Sequence, residues 1–273
     1  MQSEAEVYAQ EIQMLHVSGD SWQAWVKQHF SQKMQRLLII PCCAQKRPDG
    51  QKVAANRDRL VGLVSPSSHE NLLSARVDVL AGIRSEQKYL SGKCAKNAHI
   101  QDGPDFGATS PNGLYMPALE RYIGSLYTGN QKLADVIRAN EPSNSKTRVL
   151  ILSALYGPLH PLDLIQDYNL QMSDKPAYRV WKDQFSIFLE NYVDRNHITD
   201  ISLYVGSSTR YFRVAERAAK RLRQRDLIDS VIQYEVINGS SYITPFTHGR
   251  LLFSHLTGDI DSNLESGVVP RQI

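Results

Sequence analysis

Two cysteines and a lysine directly follow an apolar run in the first fifth of the chain. Residues 36–40 predict a short buried strand, which Pro41 ends. Cys42, Cys43 and Lys46 come next, and a cation beside a thiol favours the thiolate, which is the nucleophilic form of cysteine. The spacing predicts a reactive thiol at a strand end. The alternative is that one of the two cysteines is a small core residue.

A second set of polar side chains follows the apolar run at residues 148–152. Gly157, Pro158 and Pro161 keep the chain from continuing as strand or helix, so an ordered loop is expected at the carboxyl end of a strand. In open α/β sheets ligands bind at such ends. The loop carries many hydrogen-bonding side chains, namely Tyr156, His160, Asp163, Gln166, Asp167 and Tyr168. The alternative is a proline-stiffened turn that packs on its own side chains.

A predicted helix over residues 209–225 carries a basic stripe. Spacings of three, four and seven residues place its cations on one face, and these are Arg210, Arg213, Arg217, Lys220 and Arg221. Contact with the phosphates of DNA would explain the stripe, and a solvated helix face is the alternative. Ser207 and Ser208 lie just before this helix, where they could hold an anion or cap the helix.

Zinc binding is a competing interpretation of the cysteines. The residues that could meet at one ion are Cys42, Cys43, Cys94, His69 and His99. Their spacing fits no common Cys-x-x-Cys knuckle, so we predict neither a metal nor another cofactor.

The composition limits which classes of protein this chain can belong to. Of 273 residues, 42% are hydrophobic and 22% charged, which is ordinary for a globular protein. No apolar run approaches the roughly 18 residues of a membrane span, and the amino terminus lacks a signal-peptide pattern. Three cysteines argue against a disulfide framework. We therefore expect a cytoplasmic protein with no membrane partner, whose net charge of +3 permits nucleic-acid binding.

Strand and helix patterns alternate from residue 115 onward. This alternation predicts an α/β fold with a mixed, mostly parallel sheet flanked by helices. Helical periodicity over residues 4–33 predicts a helical N-terminal extension, so we divide the chain into 1–35, an α/β domain over 36–260 and a loosely held tail over 261–273. Residues 93–113 are rich in Gly, Pro and Asn and predict a long loop.

The segment from Ser153 to Met172 resembles the signature of the YaaA family, which is linked to peroxide stress. Upstream, residues 124–129 resemble the family's Gly-x-x-Tyr-x-Gly element, which here includes Tyr127; downstream, residues 205–212 resemble its strand-to-helix step. The resemblance covers roughly residues 120–258 and implies a YaaA-like fold. By itself it implies a non-catalytic DNA-binding protein that limits oxidative damage.

The strand end implies a more specific activity. Pro41, Cys42, Cys43 and Lys46 resemble the Pro-Cys-Ser-x-x-Lys motif of archaeosine synthase, which acts on the nitrile of 7-cyano-7-deazaguanine in RNA. A YaaA-like protein of the bacterial 7-deazaguanine DNA-modification system is the nearest resemblance. It implies a nitrile hydratase-type lyase that converts this base in DNA to the amide, with DNA and other proteins of that system as partners. A cysteine would add to the nitrile, Lys46 would protonate or orient nitrogen, and Asp163 would activate water or hold the base.

One pocket at the carboxyl ends of the strands is expected to join these groups. Aromatic side chains beside a carboxylate suit a flat purine-like ring. The residues assigned to substrate binding are Tyr127, Tyr156, Gln166, Tyr168, Ser207 and Ser208. Besides the non-catalytic DNA binder, a hydrolase or glycosidic-bond enzyme of free nucleosides is a further alternative.

Overall fold

Strands and helices alternate in the structure, a computed structural model that describes residues 35–52, 58–109, 112–140, 146–258 and 267–273. In chain order the strands are β1 (Arg36–Pro41), β2 (Met116–Pro117), β3 (Thr147–Ser153), β4 (Gly157–Leu159), β5 (Leu164–Ile165), β6 (Asp200–Leu203), β7 (Ser230–Val236) and β8 (Val268–Gln272). The α-helices are α1 (Pro66–Arg84), α2 (Ala118–Arg121), α3 (Ser125–Thr128), α4 (Leu133–Ala139), α5 (Lys175–Arg195), α6 (Arg210–Gln224) and α7 (Ile243–Thr257).

The main sheet is built around β1. Residues 37–40 are all buried, as expected for a strand whose two faces are both covered. The strand order is β4-β3-β1-β6-β7-β8. β1 pairs in parallel with β3 and with β6, and β6 pairs in parallel with β7. The edge strands β4 and β8 run antiparallel to their neighbours. The predicted mixed, mostly parallel sheet flanked by helices is therefore confirmed.

Two groups of helices pack beside the sheet. α1, α5 and α6 form one group, and α3, α4 and α7 form the other. Two helices of the first group begin at side-chain caps: Ser65 accepts a hydrogen bond from the Ser68 amide before α1, and Thr209 accepts one from the Phe212 amide before α6. No α-helix in the described ranges has both the length and the apolar character that crossing a membrane requires.

The sequence predicts an N-terminal extension, a long loop over residues 93–113 and a C-terminal tail, and the structure describes the loop and the tail in part. The predicted N-terminal helices lie outside the described residues. The predicted loop over 93–113 contains short 3₁₀ helices, Gly92–His99 and Pro104–Phe106. Of the tail expected over 261–273, the structure describes residues 267–273, where β8 pairs with β7 from Val268↔Val236 to Gln272↔Ile232. Four of the five β8 residues are exposed, which is why the sequence shows no buried-strand pattern there.

Candidate functional site

A cleft of about 610 Å³ opens at the carboxyl ends of β1, β6 and β7. This volume lies within the usual range for small-molecule sites, roughly 300–1,000 Å³. β1 contributes Pro41 and Cys42, the loop after β6 contributes residues 204–209, and β7 contributes Tyr234 and Glu235. The start of α7 closes the remaining side with Thr244, Pro245 and His248. Parallel strands thus bring residues that are nearly 200 positions apart to one edge of the sheet.

The thiol of Cys42 contacts one tyrosine hydroxyl and lies near a second. Its sulfur lies 3.0 Å from the hydroxyl oxygen of Tyr211, and it is close enough to Tyr168 to affect the pKa of that hydroxyl. Burial raises the pKa of both tyrosines well above the usual value, and the proximity of Cys42 raises it further. Both hydroxyls therefore keep their protons near neutral pH, and that of Tyr211 can donate to the Cys42 sulfur.

Lys46 lies next to this thiol in a buried, aromatic environment. Its ammonium nitrogen donates to the Cys43 carbonyl at 2.6 Å and lies 4.0 Å from the ring centre of Tyr168 and 5.5 Å from that of Tyr122. The side chain is 7% exposed. Burial lowers the pKa of Lys46, although the two nearby thiols partly oppose this shift. A lowered pKa makes the Lys46 ammonium a stronger acid than that of an exposed lysine. Lys46 does not itself line the cleft.

Cys43 has a different environment from Cys42. Its thiol donates to the Gln45 carbonyl at 2.8 Å and accepts from the Gly124 amide at 3.2 Å. A Cβ at Gly124 would lie 2.7 Å from the Cys43 Cβ, so glycine permits this close packing. Burial raises the pKa of the Cys43 thiol to about 11; the Cys42 thiol adds to the shift and Lys46 opposes it. Cys43 therefore remains protonated at neutral pH and does not line the cleft.

A chain of hydroxyl groups lies behind the Cys42 thiol. The Tyr168 hydroxyl is 2.8 Å from the Ser153 hydroxyl and 2.9 Å from the Tyr122 hydroxyl. Tyr127 donates to the Pro41 carbonyl at 2.9 Å, so it holds the end of β1. Tyr168 and Tyr127, both assigned to substrate binding from the sequence, thus contact the strand end that carries Cys42. Both are buried and neither lines the cleft.

Two predicted residues, Ser207 and Ser208, lie on the side of the cleft away from Cys42, as does His248. Ser207 and Ser208 line it between β6 and α6. The Ser207 hydroxyl donates to the Glu235 carboxylate at 3.1 Å. His248 contacts the Tyr234 carbonyl through Nε2 at 2.7 Å, and burial lowers the pKa of His248, so this ring is neutral at physiological pH.

The expectation of a single pocket is corrected for Tyr156, Asp163 and Gln166. None of them lines the cleft. Tyr156 donates to Asp105 at 2.9 Å, and the Gln166 amide group donates to the same carboxylate at 3.0 Å. The physical reason is that β4 turns back beside β3 and leads the chain away from the β6 and β7 side of the sheet.

Asp163 holds backbone amides within this second network. Its two carboxylate oxygens accept from the Arg59 amide at 2.7 Å and from the His160 amide at 2.8 Å. Burial raises the pKa of Asp163 to about 7, and the Asp58 charge adds to the shift. Asp58 itself pairs with buried Arg76 at 3.0 Å, which favours the charged form of Asp58. The network ties loops together and borders no sizeable cavity.

Much of the basic stripe on α6 is paired with acidic residues. Arg217 contacts Asp183 of α5 at 2.8 Å, Arg221 contacts Glu190 of α5, and Lys220 contacts Glu216 of its own helix at 2.8 Å. Arg210 lies over the Tyr178 ring at 4.9 Å. The stripe is therefore partly an interface between α5 and α6, in addition to any role towards DNA.

The residues considered for zinc do not form a metal-binding group. His69 hydrogen bonds Asp58 through Nε2 at 3.1 Å, and the three cysteines are unpaired. Within the described ranges, no three His, Cys, Asp or Glu side chains are placed to hold an ion together.

Two residues of the site, Tyr211 and Glu235, were not predicted from the sequence. Tyr211 lies in the stretch that resembles the strand-to-helix step of the YaaA signature, but only the fold brings its hydroxyl to Cys42. Glu235 lies within a weakly apolar strand, and no local pattern marks it. The available signal was its position near the carboxyl end of a predicted strand, which is where ligands bind in such sheets.

Comparison with known proteins identifies relatives over much of the chain. A family model described as "Peroxide stress protein YaaA" matches residues 69–247. A "UPF0246 protein" of Roseobacter denitrificans is 32% identical over 111 residues, covering 38% of this chain and 42% of the relative. The protein of the same description from Leptothrix cholodnii is 30% identical over 120 residues, covering 41% of this chain and 45% of the relative. The one from Paraburkholderia xenovorans is 30% identical over 117 residues, covering 40% of this chain and 43% of the relative. The chain thus aligns with less than half the length of these curated relatives, and the family-model match excludes Cys42 and Lys46.

Proposed function

The chain belongs to the peroxide stress protein YaaA family, and from this premise we propose that it is a base-modifying enzyme that hydrates the nitrile of 7-cyano-7-deazaguanine in DNA to the amide. The observation that carries the proposal is the environment of Cys42. Cys42 lines the cleft, the Tyr211 hydroxyl lies 3.0 Å from its sulfur, and Tyr168 and the buried Lys46 lie near it. These are the groups that nucleophilic catalysis by a thiolate requires.

The reaction needs only these groups and water. The Cys42 thiolate adds to the nitrile carbon, so a C–S bond forms, one C–N π bond breaks, and Lys46 protonates the nitrogen. Lys46 then takes a proton from the water that adds to the thioimidate carbon and returns it to the nitrogen. The C–S bond breaks, the hydroxyl proton passes to Lys46, and the products are the amide and the original ion pair. Asp163 has no part in this scheme because it belongs to a separate network and, unlike Lys46, does not lie near Cys42.

DNA is the proposed partner. A base inside a duplex cannot reach the cleft, so the target nucleotide would be single-stranded or flipped out of the helix. The mildly basic chain and the cations at the start of α6, beside the cleft, support contact with phosphates. We also propose that the enzyme acts in the cytoplasm, without a cofactor, together with other proteins of a DNA-modification system.

Mass analysis of nucleosides tests the proposed reaction. DNA that contains 7-cyano-7-deazaguanine is incubated with the intact protein and with three variants, Cys42→Ala, Cys43→Ala and Lys46→Ala. The intact protein should add one water to the base, and the loss of Cys42 should lower the rate by at least about 100-fold. Cys43→Ala is the matched control and should retain activity. Equal activity of Cys42→Ala and the intact protein would contradict the assignment of Cys42.

A second candidate is a non-catalytic DNA-binding protein that protects against peroxide stress. The family description favours it, and the adjacent thiols of Cys42 and Cys43 would then be structural or redox-sensing. DNA cleavage by peroxide and iron should decrease in the presence of the protein. A Cys42→Ala, Cys43→Ala double variant should protect DNA as well as the intact protein, without any mass change of the base.

A further inference from the structure

Glu235 is a carboxylate in the cleft, and no ion pair joins it to a described lysine or arginine. The Ser207 hydroxyl donates to Oε1 at 3.1 Å. The side chain is half-buried and lines the cavity. A partly desolvated carboxylate is stabilised by hydrogen-bond donors, so a bound ligand should supply them.

The sheet places Glu235 opposite the Cys42 thiol. Cys42 follows β1 and Glu235 belongs to β7, with β6 between the two strands. Neighbouring strands are about 4.8 Å apart, so the two side chains are anchored across roughly 10 Å of the sheet edge. This separation suits a bicyclic base that forms hydrogen bonds at one end and presents a short substituent at the other. In a guanine-type base, the N1–H and 2-amino edge and the position-7 substituent lie at opposite ends.

We infer that Glu235 selects guanine-type bases by accepting hydrogen bonds from N1–H and the 2-amino group, while Ser207 orients its carboxylate. The inference rests on the proposed function only for the identity of the substituent at position 7. Recognition of the N1–H and 2-amino edge does not depend on the proposed reaction. Two parallel N–H donors match the two carboxylate oxygens. An adenine-type edge presents an acceptor at N1 and lacks the 2-amino group, so it is disfavoured.

The test compares two oligonucleotide substrates and two free bases. Single-stranded DNA carries either 7-cyano-7-deazaguanine or the same base without its 2-amino group, and kcat/KM for amide formation is measured for each. Separately, guanine and hypoxanthine compete for the cleft in an equilibrium binding assay that requires no turnover. The intact protein should favour the 2-amino base by about tenfold or more in both assays, because each lost bond leaves a carboxylate oxygen without its donor.

Glu235→Gln should reduce this preference to about one, because the glutamine NH₂ faces one of the two donors on the base. Glu216→Gln, on α6 and outside the cleft, is the matched control and should keep the full preference. Ser207→Ala retains the carboxylate and should show an intermediate preference, which keeps the inference testable if Glu235→Gln folds poorly.

The outcomes separate the inference from the proposed reaction. If the intact protein forms the amide but Glu235→Gln discriminates as well as the intact protein, the role of Glu235 is wrong and the reaction stands. If no amide forms, yet the intact protein prefers guanine to hypoxanthine and Glu235→Gln does not, the recognition of the guanine edge stands and the reaction is wrong. Equal binding of guanine and hypoxanthine by the intact protein overturns the inference.

Discussion

Cys42 lines the cleft although the residue is only 6% exposed, whereas the sulfur of Cys43 is held by the Gln45 carbonyl and the Gly124 amide. The difference follows from the end of β1, where the Cys42 amide still donates to the Leu152 carbonyl at 2.9 Å. This bond fixes Cys42 as a continuation of the strand. The chain then turns, so the next side chain packs against α3. Adjacent residues of one type thus acquire different chemistry.

Replacing Tyr211 by phenylalanine should slow alkylation of Cys42 by about tenfold. The variant removes a hydroxyl 3.0 Å from the sulfur, and hydrogen bonds to charged groups contribute about 1.5–3 kcal/mol. The rate is measured with iodoacetamide, by mass spectrometry of the peptide that contains Cys42. Tyr242→Phe, at an exposed tyrosine, is the control. An unchanged rate in a folded Tyr211→Phe protein would show that this hydroxyl does not stabilise the thiolate.

At the level of elements, the turn between β3 and β4 depends on a glycine beside a tryptophan. Gly157 has a φ of 64°, and a Cβ there would overlap the ring of Trp181 on α5. The Trp181 indole donates to the Ala154 carbonyl at 2.9 Å, so the ring cannot move away without losing this bond. The glycine therefore allows the sheet edge and α5 to pack closely.

Gly157→Ala should destabilise the protein by about 3 kcal/mol, of which roughly 1 kcal/mol comes from the left-handed backbone and the rest from the clash. Gly92→Ala isolates the first contribution, because Gly92 has a φ of 54° and, apart from its chain neighbours, no atom of the described residues lies within 4 Å of its added Cβ. Chemical denaturation of both variants gives the two free energies of unfolding. Equal losses of unfolding free energy in the Gly157→Ala and Gly92→Ala variants would show that the Trp181 ring accommodates the methyl group.

The pairing of α5 with α6 divides the basic stripe into two classes of cation. Arg217 and Arg221 contact acidic residues of α5, whereas Arg210 and Arg213 lie in the first turn of α6, next to the cleft. The first two are partly neutralised by their partners. The second pair is therefore the one that we propose to contact the phosphates of a bound nucleotide.

Arg210→Ala and Arg213→Ala should each weaken DNA binding and reduce the slope of log affinity against log salt by about one. Arg217→Ala should leave the slope nearly unchanged and alter stability by at most about 1 kcal/mol, since exposed ion pairs contribute little. Fluorescence anisotropy over a range of salt concentrations measures the DNA affinity and its salt slope. Denaturant unfolding measures the change in stability. If Arg217→Ala lowers affinity as much as Arg213→Ala, the whole stripe contacts DNA.

At the level of the whole molecule, a buried charge network holds the loops on the β3 and β4 side. Arg76 is 2% exposed and donates to the Tyr156 carbonyl at 3.0 Å and to Asp58 at 3.0 Å. Asp163 lies in the same network, and its pKa is raised from 3.8 to about 7, first by burial and then by Asp58. The folded protein therefore binds this proton more tightly than the unfolded chain does.

The contribution of Asp163 to stability should be complete below about pH 4 and decrease as the pH rises to about 7. Asp163→Asn cannot titrate, so its loss of stability relative to the intact protein should be larger at about pH 5 than at about pH 8. Denaturant unfolding at both pH values measures this difference. Asp102→Asn, at an exposed carboxylate, should show no such change. A loss that is independent of pH would indicate that Asp163 is ionised throughout this range.

The sequence by itself determined the features that depend on neighbouring residues. Residues 36–40 form a strand because four consecutive aliphatic residues are stable only when buried on both faces. The thiols at its end, the basic helix and the α/β alternation follow from local patterns in the same way. The YaaA signature is also a local pattern, and the family match confirms that resemblance.

Only the tertiary structure decided which strands meet at the cleft. Strand order places β6 and β7 on one side of β1 and β3 on the other, so Cys42 shares a cavity with Ser207 and Glu235, whereas Asp163 lies elsewhere. It also paired α6 with α5 and added β8 to the sheet. These outcomes depend on hydrogen bonds and packing between distant segments, and short-range periodicity carries no information about which distant segments pair.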